Sequence, residues 1–160
     1  MLWPLIKTAI FSVFVPGTVA LLIPYSLQKS AENHLPFPLL QGMIGGLLLL
    51  LGVVIYFWCA WDFAVKGFGT PAPIDPPKVL VVRGLYRFTR NPMYVGVGAM
   101  IAGQGVLFGS QRIAIYFCGV VLAFNLFIRF YEEPVLRRKF GTQYDEYCRA
   151  VPRWIFRTYY

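Results

Sequence analysis

The stretch FPLLQGMIGGLLLLLGVVIYFWCAWDFAV, residues 37–65, decides the fold class. Its only charged side chain is Asp62, close to the end of the stretch. A helix needs about 20 mostly apolar residues to cross the hydrocarbon core of a bilayer. This stretch is longer than that, so it predicts a transmembrane helix.

Three further apolar stretches meet the same criterion, at residues 4–27, 92–109 and 113–131. In the first of them, Lys7 precedes an apolar run, as in a secretory signal, but no small-residue cleavage site follows. We therefore interpret it as a retained span. The predicted fold class is all-α: a polytopic membrane protein with four transmembrane helices, forming a single domain over residues 1–160.

The composition of the whole chain agrees with this class. Of its 160 residues, 58% are hydrophobic and 14% are charged, which is far more apolar than an ordinary soluble domain. The net charge of +8 is typical of proteins that bind nucleic acid or an anionic membrane surface. The apolar content favours the lipid bilayer, so no nucleic acid partner is expected. Cys59, Cys118 and Cys148 stand apart without CxxC spacing, so neither a disulfide framework nor a metal site is expected.

The distribution of lysine and arginine predicts how the spans are oriented. If the N-terminus is cytoplasmic, only Lys29 and Arg112 of the 15 basic residues lie outside. The two basic segments, residues 66–90 and the C-terminal tail, then share one side. We expect an integral membrane protein, in the inner membrane if the cell is bacterial, with both termini cytoplasmic.

The second and third spans contain small residues at regular spacing, and the segment that connects them is rich in proline and glycine. Small residues at four-residue spacing in these spans favour close helix packing, although the same residues would also make room for a ligand. The pairs are Gly42 with Gly46, Ala99 with Gly103 and Gly105 with Gly109. The connecting segment is too rich in proline and glycine for a regular helix. Its proline-rich part, residues 69–77, is either a structured turn or a flexible lid.

The segment after the fourth span predicts an amphipathic helix. Pro134 suits a first helical turn, with Glu132 and Glu133 at its positively polarised end. Apolar residues then recur at steps of three and four and share one face, namely Leu136, Phe140, Tyr144, Tyr147 and Val151. We expect this C-terminal amphipathic helix to lie at the cytoplasmic interface or to fold back over the bundle.

The segment RFTRNPMYVG, residues 87–96, is a candidate binding site at the start of the third span. Pro92 at a helix start leaves the next amides unpaired, which favours an anion. Tyr94 offers an aromatic face for a cation or a flat ring, and Asn91 offers a donor and an acceptor. Positive charge is added by Arg83, Arg87 and Arg90. The alternative is an ordinary basic interface with a tyrosine anchor.

Polar residues near or inside the spans need partners. Arg129 precedes the adjacent Glu132 and Glu133 by one turn and can pair with one of them. The other carboxylate would then be available for a ribose diol, an ammonium group or another arginine. Gln104 lies inside the third span, where it either meets a ligand or joins two helices.

These residues fall into two blocks that resemble the isoprenylcysteine carboxyl methyltransferase family, whose broader group includes phospholipid N-methyltransferases. The family pattern is Arg-His-Pro-x-Tyr-x-Gly, a span, then Glu-Glu-x-x-Leu, Phe-Gly-x-x-Tyr-x-x-Tyr and a closing Val and Pro. The matching residues are Arg90, Asn91, Pro92, Tyr94, Gly96, Glu132, Glu133, Leu136, Phe140, Gly141, Tyr144, Tyr147, Val151 and Pro152. The match covers residues 83–154, and the first two spans carry no signature.

The resemblance implies S-adenosylmethionine (SAM) as the methyl donor and S-adenosylhomocysteine (SAH) as the product. It implies that the cofactor binds on the cytoplasmic side and that a lipophilic acceptor enters from the bilayer. The cofactor-binding residues that it implies are Arg90, Asn91, Pro92, Tyr94, Gly96, Gln104, Glu132, Glu133, Tyr144 and Tyr147.

One departure from the pattern bears on the chemistry, because the family's histidine is Asn91 here. Asparagine forms hydrogen bonds but cannot act as a base near neutral pH. This favours an acceptor that is already deprotonated, such as a carboxylate, which Arg87 or Arg129 would hold. An amine acceptor would need a base, for which the pair Glu132 and Glu133 is the only obvious candidate, with Glu133 as the predicted catalytic residue.

Two other function classes remain as alternatives. One is a small membrane scaffold that keeps the fold without activity. The other is a relative of membrane sterol reductases, whose NADPH cofactor would need extra basic residues such as Arg137, Arg138 and Lys139. Anionic lipid accounts for those charges equally well, and four spans are few for that group. A membrane methyltransferase is the favoured function, with its acceptor left open among a prenylated cysteine, a small lipid and a phospholipid amine.

Overall fold

The computed structural model describes residue 14 and residues 16–28, 38–63 and 79–154. Within these ranges the chain is helical and contains no strand, as the predicted fold class requires. The helices are α1 (Thr18–Gln28), α2 (Pro38–Asp62), α3 (Pro92–Phe108), α4 (Gln111–Phe140) and α5 (Thr142–Ala150). A short 3-10 turn, Gly84–Arg87, precedes α3. The predictions for both chain termini, most of the first span, Lys29 and the proline-rich loop at residues 69–77 fall outside the described residues.

Two of the helices are long and apolar enough to cross a bilayer. α2 has 25 residues and α4 has 30, which is about 37 and 45 Å at 1.5 Å per residue. They correspond to the spans predicted at residues 37–65 and 113–131. α1 and α3 are apolar but shorter, and the 17 residues of α3 lie at the lower end of the range for a span. The count of four spans therefore stays a prediction.

α2 and α3 pack against each other through glycines. A Cβ atom added at Gly52 would lie 2.6 Å from the carbonyl oxygen of Gly96, and one added at Gly103 would lie 2.6 Å from the backbone nitrogen of Leu49. One added at Gly45 would lie 2.8 Å from the carbonyl oxygen of Gly103. No side chain fits at such contacts, so the two backbones touch. Because rising numbers in α2 meet falling numbers in α3, the helices run antiparallel.

These contacts are not the glycine pairs predicted from the sequence. Nothing lies within 4 Å of a Cβ added at Gly42 or Gly46, so this pair does not face α3. In α3, Gly103 is used together with Gly96, seven residues away, rather than with Ala99. At 3.6 residues per turn, a spacing of seven keeps two residues on one face, as a spacing of four does. The sequence spacing therefore left the choice of face open.

A π-helical turn joins α1 to its neighbours. The turn covers Thr18–Leu22 and is followed by Pro24, which has no N–H to donate to the carbonyls of that turn. Side chains provide donors instead. Gln104 of α3 donates to the carbonyl of Ala20 at 2.5 Å, and the hydroxyl of Tyr116 of α4 donates to the preceding carbonyl at 2.9 Å. In hydrocarbon, where water cannot satisfy backbone groups, such bonds hold the helices together.

A second π-helical turn, Ile128–Glu132, lies inside α4 and is also followed by a proline, Pro134. The sequence predicts a new helix starting at this proline, but the structure shows one helix running on to Phe140. A proline inside an α-helix removes a hydrogen bond and its ring meets the carbonyl of the preceding turn. The wider π turn accommodates that ring. The acidic pair therefore lies on a continuous helix.

The predicted C-terminal amphipathic helix is divided in two. Gly141 lies between α4 and α5 with a φ of 54°, a conformation that glycine adopts more readily than other residues. The prediction of a single helix is wrong at this point. The predicted apolar residues nevertheless pack into one cluster, formed by Leu136, Phe140, Tyr144, Tyr147 and Val151.

Candidate functional site

The motif at residues 87–96 forms the start of α3. Asn91 immediately precedes the first helical residue, Pro92, and both side chains are buried. The Asn91 side chain does not cap the helix; its Nδ2 donates to the carbonyl of Arg153 at 3.0 Å. The hydroxyl of Thr89 donates to the same carbonyl, also at 3.0 Å. The first predicted block is thus fastened to the chain just beyond the second.

The segment at residues 152–154 is called the C-terminal strap here. The backbone N–H of Arg90 donates to the carbonyl of Pro152 at 2.9 Å. The indole N–H of Trp154 donates to Oδ1 of Asn125, midway along α4, at 3.0 Å. The strap therefore links the start of α3 to α4.

Glu133 is held by two arginines. Nε and Nη2 of Arg153 each donate to one of its carboxylate oxygens, both at 2.8 Å. Nη1 of Arg90 lies 3.1 Å from Oε1. The side chains of Arg90 and Glu133 are only 12% and 13% exposed, so solvent and salt screen this pair weakly. The hydrogen bond to Glu133 raises the pKa of Arg153, which keeps the guanidinium charged.

Glu132 has a different kind of partner. The hydroxyl of Tyr94 donates to its Oε2 at 2.8 Å. The Tyr94 ring also packs on Phe124 of α4, with ring centroids 4.7 Å apart, so the phenol is fixed between α3 and α4. The two adjacent carboxylates therefore differ in charge balance. Glu133 is paired with two cations, whereas Glu132 has a neutral hydrogen-bond donor and no ion pair within the part of the chain that the structure describes.

Arg90 presents an unused donor at this site. Its Nε is buried and has no hydrogen-bond partner among the residues that the structure describes. Its Nη1 donates to the thiol of Cys148 at 2.6 Å. A buried donor left without an acceptor costs about 1–3 kcal/mol. An acceptor oxygen brought to this position would remove that cost.

Two tyrosines of α5 lie beside Arg90. The hydroxyl of Tyr147 donates to the carbonyl of Tyr86 at 2.7 Å, and its ring centroid lies 6.2 Å from that of Tyr144. Burial raises the pKa of both phenols, although the charge of Arg90 opposes part of the rise. Both phenols stay neutral near neutral pH and act as hydrogen-bonding groups on an otherwise apolar surface.

The structure brings most of the predicted site residues to one end of α3. They are Arg90, Asn91, Pro92, Tyr94, Glu132, Glu133, Tyr144 and Tyr147. Gly96 is not among them, because it packs against Gly52 of α2. Gln104 lies ten residues along α3 from Tyr94, about 15 Å of helix, and bonds to α1. The structure thus uses Gln104 to join two helices, which was one of its two interpretations.

The two arginines expected to hold an acceptor carboxylate are both exposed, Arg87 in the 3-10 turn and Arg129 in the second π turn. The guanidinium of Arg129 lies 6.0 Å from the ring centroid of Phe130. The structure shows no ion pair between Arg129 and Glu132 or Glu133 within the residues that it describes, so the expected pairing is not seen there. Arg90 and Arg153 take that place on Glu133.

Several residues of the site were not singled out from the sequence. They are Thr89, Asn125, Cys148, Arg153 and Trp154. One had a visible signal, since the amide of Asn125 lies in an apolar span and needs a partner there. Arg153 directly follows the Val-Pro pair that closes the family pattern, which is a second signal. Nothing in the local pattern distinguishes Thr89 or Trp154.

A profile of the phospholipid methyltransferase family matches residues 40–143. The chain belongs to this family. The matched region runs from α2 into the start of α5, so it contains the glycine-packed helix pair and the residues Tyr94, Glu132 and Glu133. Family membership and the two long apolar helices together indicate an integral membrane protein. Within residues 14, 16–28, 38–63 and 79–154, no group of three or more His, Cys, Asp or Glu side chains is placed to hold a metal ion.

Two curated relatives of this family member come from Arabidopsis thaliana. Protein-S-isoprenylcysteine O-methyltransferase B is 38% identical over 73 residues, which is 46% of this chain and 37% of the relative. Protein-S-isoprenylcysteine O-methyltransferase A is 38% identical over 72 residues, which is 45% of this chain and 36% of the relative. The match thus spans little more than a third of either relative. No solved structure gives a significant match.

Proposed function

We propose that the chain is an integral membrane methyltransferase that uses SAM as its methyl donor, releases SAH and methylates a lipophilic acceptor. Membership of the phospholipid methyltransferase family supports methyl transfer. The observation that carries the proposal is the meeting of the two sequence blocks at one end of α3. There Tyr94 of the first block donates to Glu132 of the second at 2.8 Å.

The chemistry of the clustered side chains fits this cofactor. Its cationic groups and ribose diol suit a carboxylate that is not already paired with an arginine of the described residues, which is Glu132. Its carboxylate suits a cationic donor, and the buried Nε of Arg90 is without a partner among the described residues. Its flat ring suits an aromatic surface, which Tyr94 and Phe124 provide. When bound, the cofactor supplies an electrophilic methyl group.

The residues of this chain contribute mainly by positioning. The hydrogen bond from Tyr94 fixes the direction in which the Glu132 carboxylate points. Arg90 and Arg153 hold Glu133 and with it the backbone of the second π turn. Aligning the two reactants in this way can supply several kcal/mol of the barrier reduction, up to roughly 7–11 kcal/mol. Glu133, proposed from the sequence as a catalytic group, is here a residue that supports the site.

An oxygen acceptor, such as a carboxylate, is favoured over an amine. The names of both relatives specify O-methylation of isoprenylcysteine. An amine acceptor must first lose a proton, which the amide of Asn91 cannot take; the base would have to be Glu132, because Glu133 is engaged by two arginines. A carboxylate is already deprotonated at neutral pH. Arg87 and Arg129, exposed at this end of the bundle, are the candidates to hold it.

The cofactor site and both chain termini are proposed to lie on the cytoplasmic side. The proposal is supported by the bias of lysine and arginine toward that side. A reporter enzyme fused after residue 160 is expected to be active in the cytoplasm. Activity of the fusion only on the opposite side of the membrane would contradict the orientation.

The first test is calorimetric binding of SAH to the protein purified in detergent, with NADPH measured in parallel. We expect binding of SAH alone. Glu132→Gln should weaken it about tenfold, the loss of roughly 1.5 kcal/mol for a hydrogen bond to a charged group. Glu146→Gln, at an exposed position on α5, is the matched control and should bind as the wild type does.

The other possible binding results would favour a different function or a different site. Binding of NADPH alone would favour the reductase alternative. No binding of either ligand by a folded sample would favour the scaffold alternative. Wild-type affinity in both Glu132→Gln and Tyr94→Ala would show that the site is misplaced.

The acceptor chemistry has its own test. The protein is incubated with methyl-labelled SAM and a membrane lipid extract, and the labelled product is treated with base. A methyl ester releases labelled methanol under these conditions, whereas a methylated amine keeps its label. We expect labelled methanol, and label that survives base would shift the proposal to an amine acceptor.

A further inference from the structure

The C-terminal strap is attached to the start of α3 by three consecutive residues. The hydroxyl of Thr89 and Nδ2 of Asn91 donate to the carbonyl of Arg153, each at 3.0 Å, and the N–H of Arg90 donates to the carbonyl of Pro152 at 2.9 Å. Asn91 is buried, so its bond to the strap forms where water competes little. The carbonyl of Arg153 is therefore fixed relative to the first turn of α3.

The side chain of Arg153 extends from this fixed point to Glu133. Its two hydrogen bonds to the carboxylate, both 2.8 Å, form the bidentate arrangement that gives arginine–carboxylate pairs their directional preference. A lysine in this place would keep the charge but would lose the paired geometry. Glu133 directly follows Glu132, which Tyr94 binds. Holding Glu133 thus also holds the end of the π turn that carries Glu132.

In this geometry Asn91 acts as a hydrogen-bond donor to the strap. The family's histidine at this position would invite an interpretation as a proton carrier, but the Asn91 amide acts here as a donor to a backbone carbonyl. A neutral imidazole has one N–H and can donate to the same carbonyl. An aspartate has almost the same shape as asparagine but has no donor when ionised.

We propose that Asn91 and Arg153 are positioning residues that act in series: Asn91 fixes the carbonyl of Arg153, and Arg153 fixes Glu133 beside the cofactor-binding carboxylate. The inference rests on the proposed function, because the site that it positions is the SAM site. It assigns no proton transfer to Asn91, and it makes the donor group at position 91 the property that matters.

The test compares SAH affinity and the kinetics of methyl transfer in matched variants. Asn91→Asp and Arg153→Lys should each raise the Kd for SAH and the KM for SAM about tenfold, which corresponds to roughly 1.4 kcal/mol. Asn91→His should recover most of the affinity that Asn91→Asp loses. Arg112→Gln, exposed at the opposite end of α4, is the control and should match the wild type.

A double variant tests whether the two residues act in series. If they do, Asn91→Asp combined with Arg153→Lys should be little worse than the poorer single variant, because both break the same connection. Additive losses would show two independent effects and would overturn the series. Loss of affinity in Asn91→His as large as in Asn91→Asp would overturn the donor role. Thr89→Val, which removes the other donor to the same carbonyl, gives a second test should Asn91→Asp not fold.

A ligand-free measurement separates this inference from the proposed function. Cys148 is partly buried and receives a hydrogen bond from Arg90, so loosening the strap should speed its labelling by a maleimide. In a Cys118→Ser background, which removes the exposed thiol, Asn91→Asp and Arg153→Lys should label several-fold faster than Asn91→His. Equal rates would overturn the inference whether or not SAH binds. Failure of the unmodified protein to bind SAH, with the labelling pattern intact, would instead count against the proposed function alone.

Discussion

The π-helical turns at Thr18–Leu22 and Ile128–Glu132 share one arrangement. Each is followed within two residues by a proline, and each is docked on α3 by a side-chain hydrogen bond. For the first turn the bond is from Gln104 to a backbone carbonyl. For the second it is from Tyr94 to the carboxylate of Glu132.

The two turns differ in what the bond satisfies. In the first turn, neutral donors from α3 and α4 bind backbone carbonyls, and the turn packs α1 against these two helices. At the second, the groups being served are the carboxylates of Glu132 and of the next residue, Glu133. A neutral tyrosine binds Glu132, and two arginines bind Glu133. The same irregular backbone is therefore structural where the bound groups are backbone carbonyls and a candidate site where they are carboxylates. Four substitutions test this comparison, and they are taken in order of their expected effect on stability.

Glu133→Leu should be the most destabilising. It leaves Arg90, which is 12% exposed, without its carboxylate, and breaking such a buried pair typically costs about 3–5 kcal/mol. Thermal unfolding in detergent measures the loss, and SAH affinity should fall with it. Glu146→Leu is the control, because Glu146 is exposed. Equal stability of the two variants would mean that the second turn does not depend on its charges.

Gly103→Ala tests the packing of α2 against α3, the helix on which both turns dock. The new Cβ would lie 2.6 Å from the backbone nitrogen of Leu49, so α2 and α3 must separate, at a cost of about 1–3 kcal/mol for an overpacked contact. Gly46→Ala meets nothing within 4 Å and should leave the unfolding temperature unchanged or raise it, since alanine favours the helix by about 1 kcal/mol. The reverse order of the two variants would contradict the observed packing face.

Gln104→Leu should affect the first turn only. Losing its bond to the Ala20 carbonyl should cost about 1 kcal/mol, as for other interhelical hydrogen bonds in membranes. SAH affinity should not change. A tenfold loss of affinity at unchanged stability would restore Gln104 to the cofactor site, which is the role that the family resemblance implies.

Tyr116→Phe should have the smallest effect. It removes one hydroxyl donor at 2.9 Å from a carbonyl of the first turn and keeps the ring, so about 0.6 kcal/mol is expected. Comparing the loss of stability in this variant with that in Gln104→Leu shows how much each of the two donors contributes to holding the first turn. A loss of enzymatic turnover in this variant would contradict the assignment of the first turn to packing alone.

The sequence predicted the parts of the molecule that depend on local pattern. Apolar length predicted α2 and α4, and the two motif blocks predicted that Tyr94 and the acidic pair belong to one site. Contacts between residues that are distant in the sequence were harder to predict. The spacing of small residues suited two faces of α2, and only the structure shows that Gly45 and Gly52 are the ones against α3.

Other differences between the predictions and the structure also arise from features that a local sequence pattern does not contain. Arg129 was the nearest cation to the acidic pair along the helix, but Arg153 reaches Glu133 through the strap, which local spacing cannot indicate. Gly141 interrupts an otherwise regular apolar repeat, because one residue with positive φ outweighs a periodicity that continues on both sides of it. The sequence placed Pro134 in the first turn of a new helix, whereas the structure continues α4 through a π turn that accommodates the proline ring.

The bond from the start of α3 to the strap also has a consequence for how the protein is made. The chain emerges from the ribosome N-terminus first, so α2 and α3 are available to pair through their glycines before residues 152–154 exist. Synthesis of the intervening stretch takes roughly 2–9 s at 5–20 residues per second. During that interval Thr89 and Asn91 have no strap to bind. Maturation of the site is therefore a late step in biosynthesis, and a ribosome stalled before residue 152 would carry an inserted helix pair with an unfinished site.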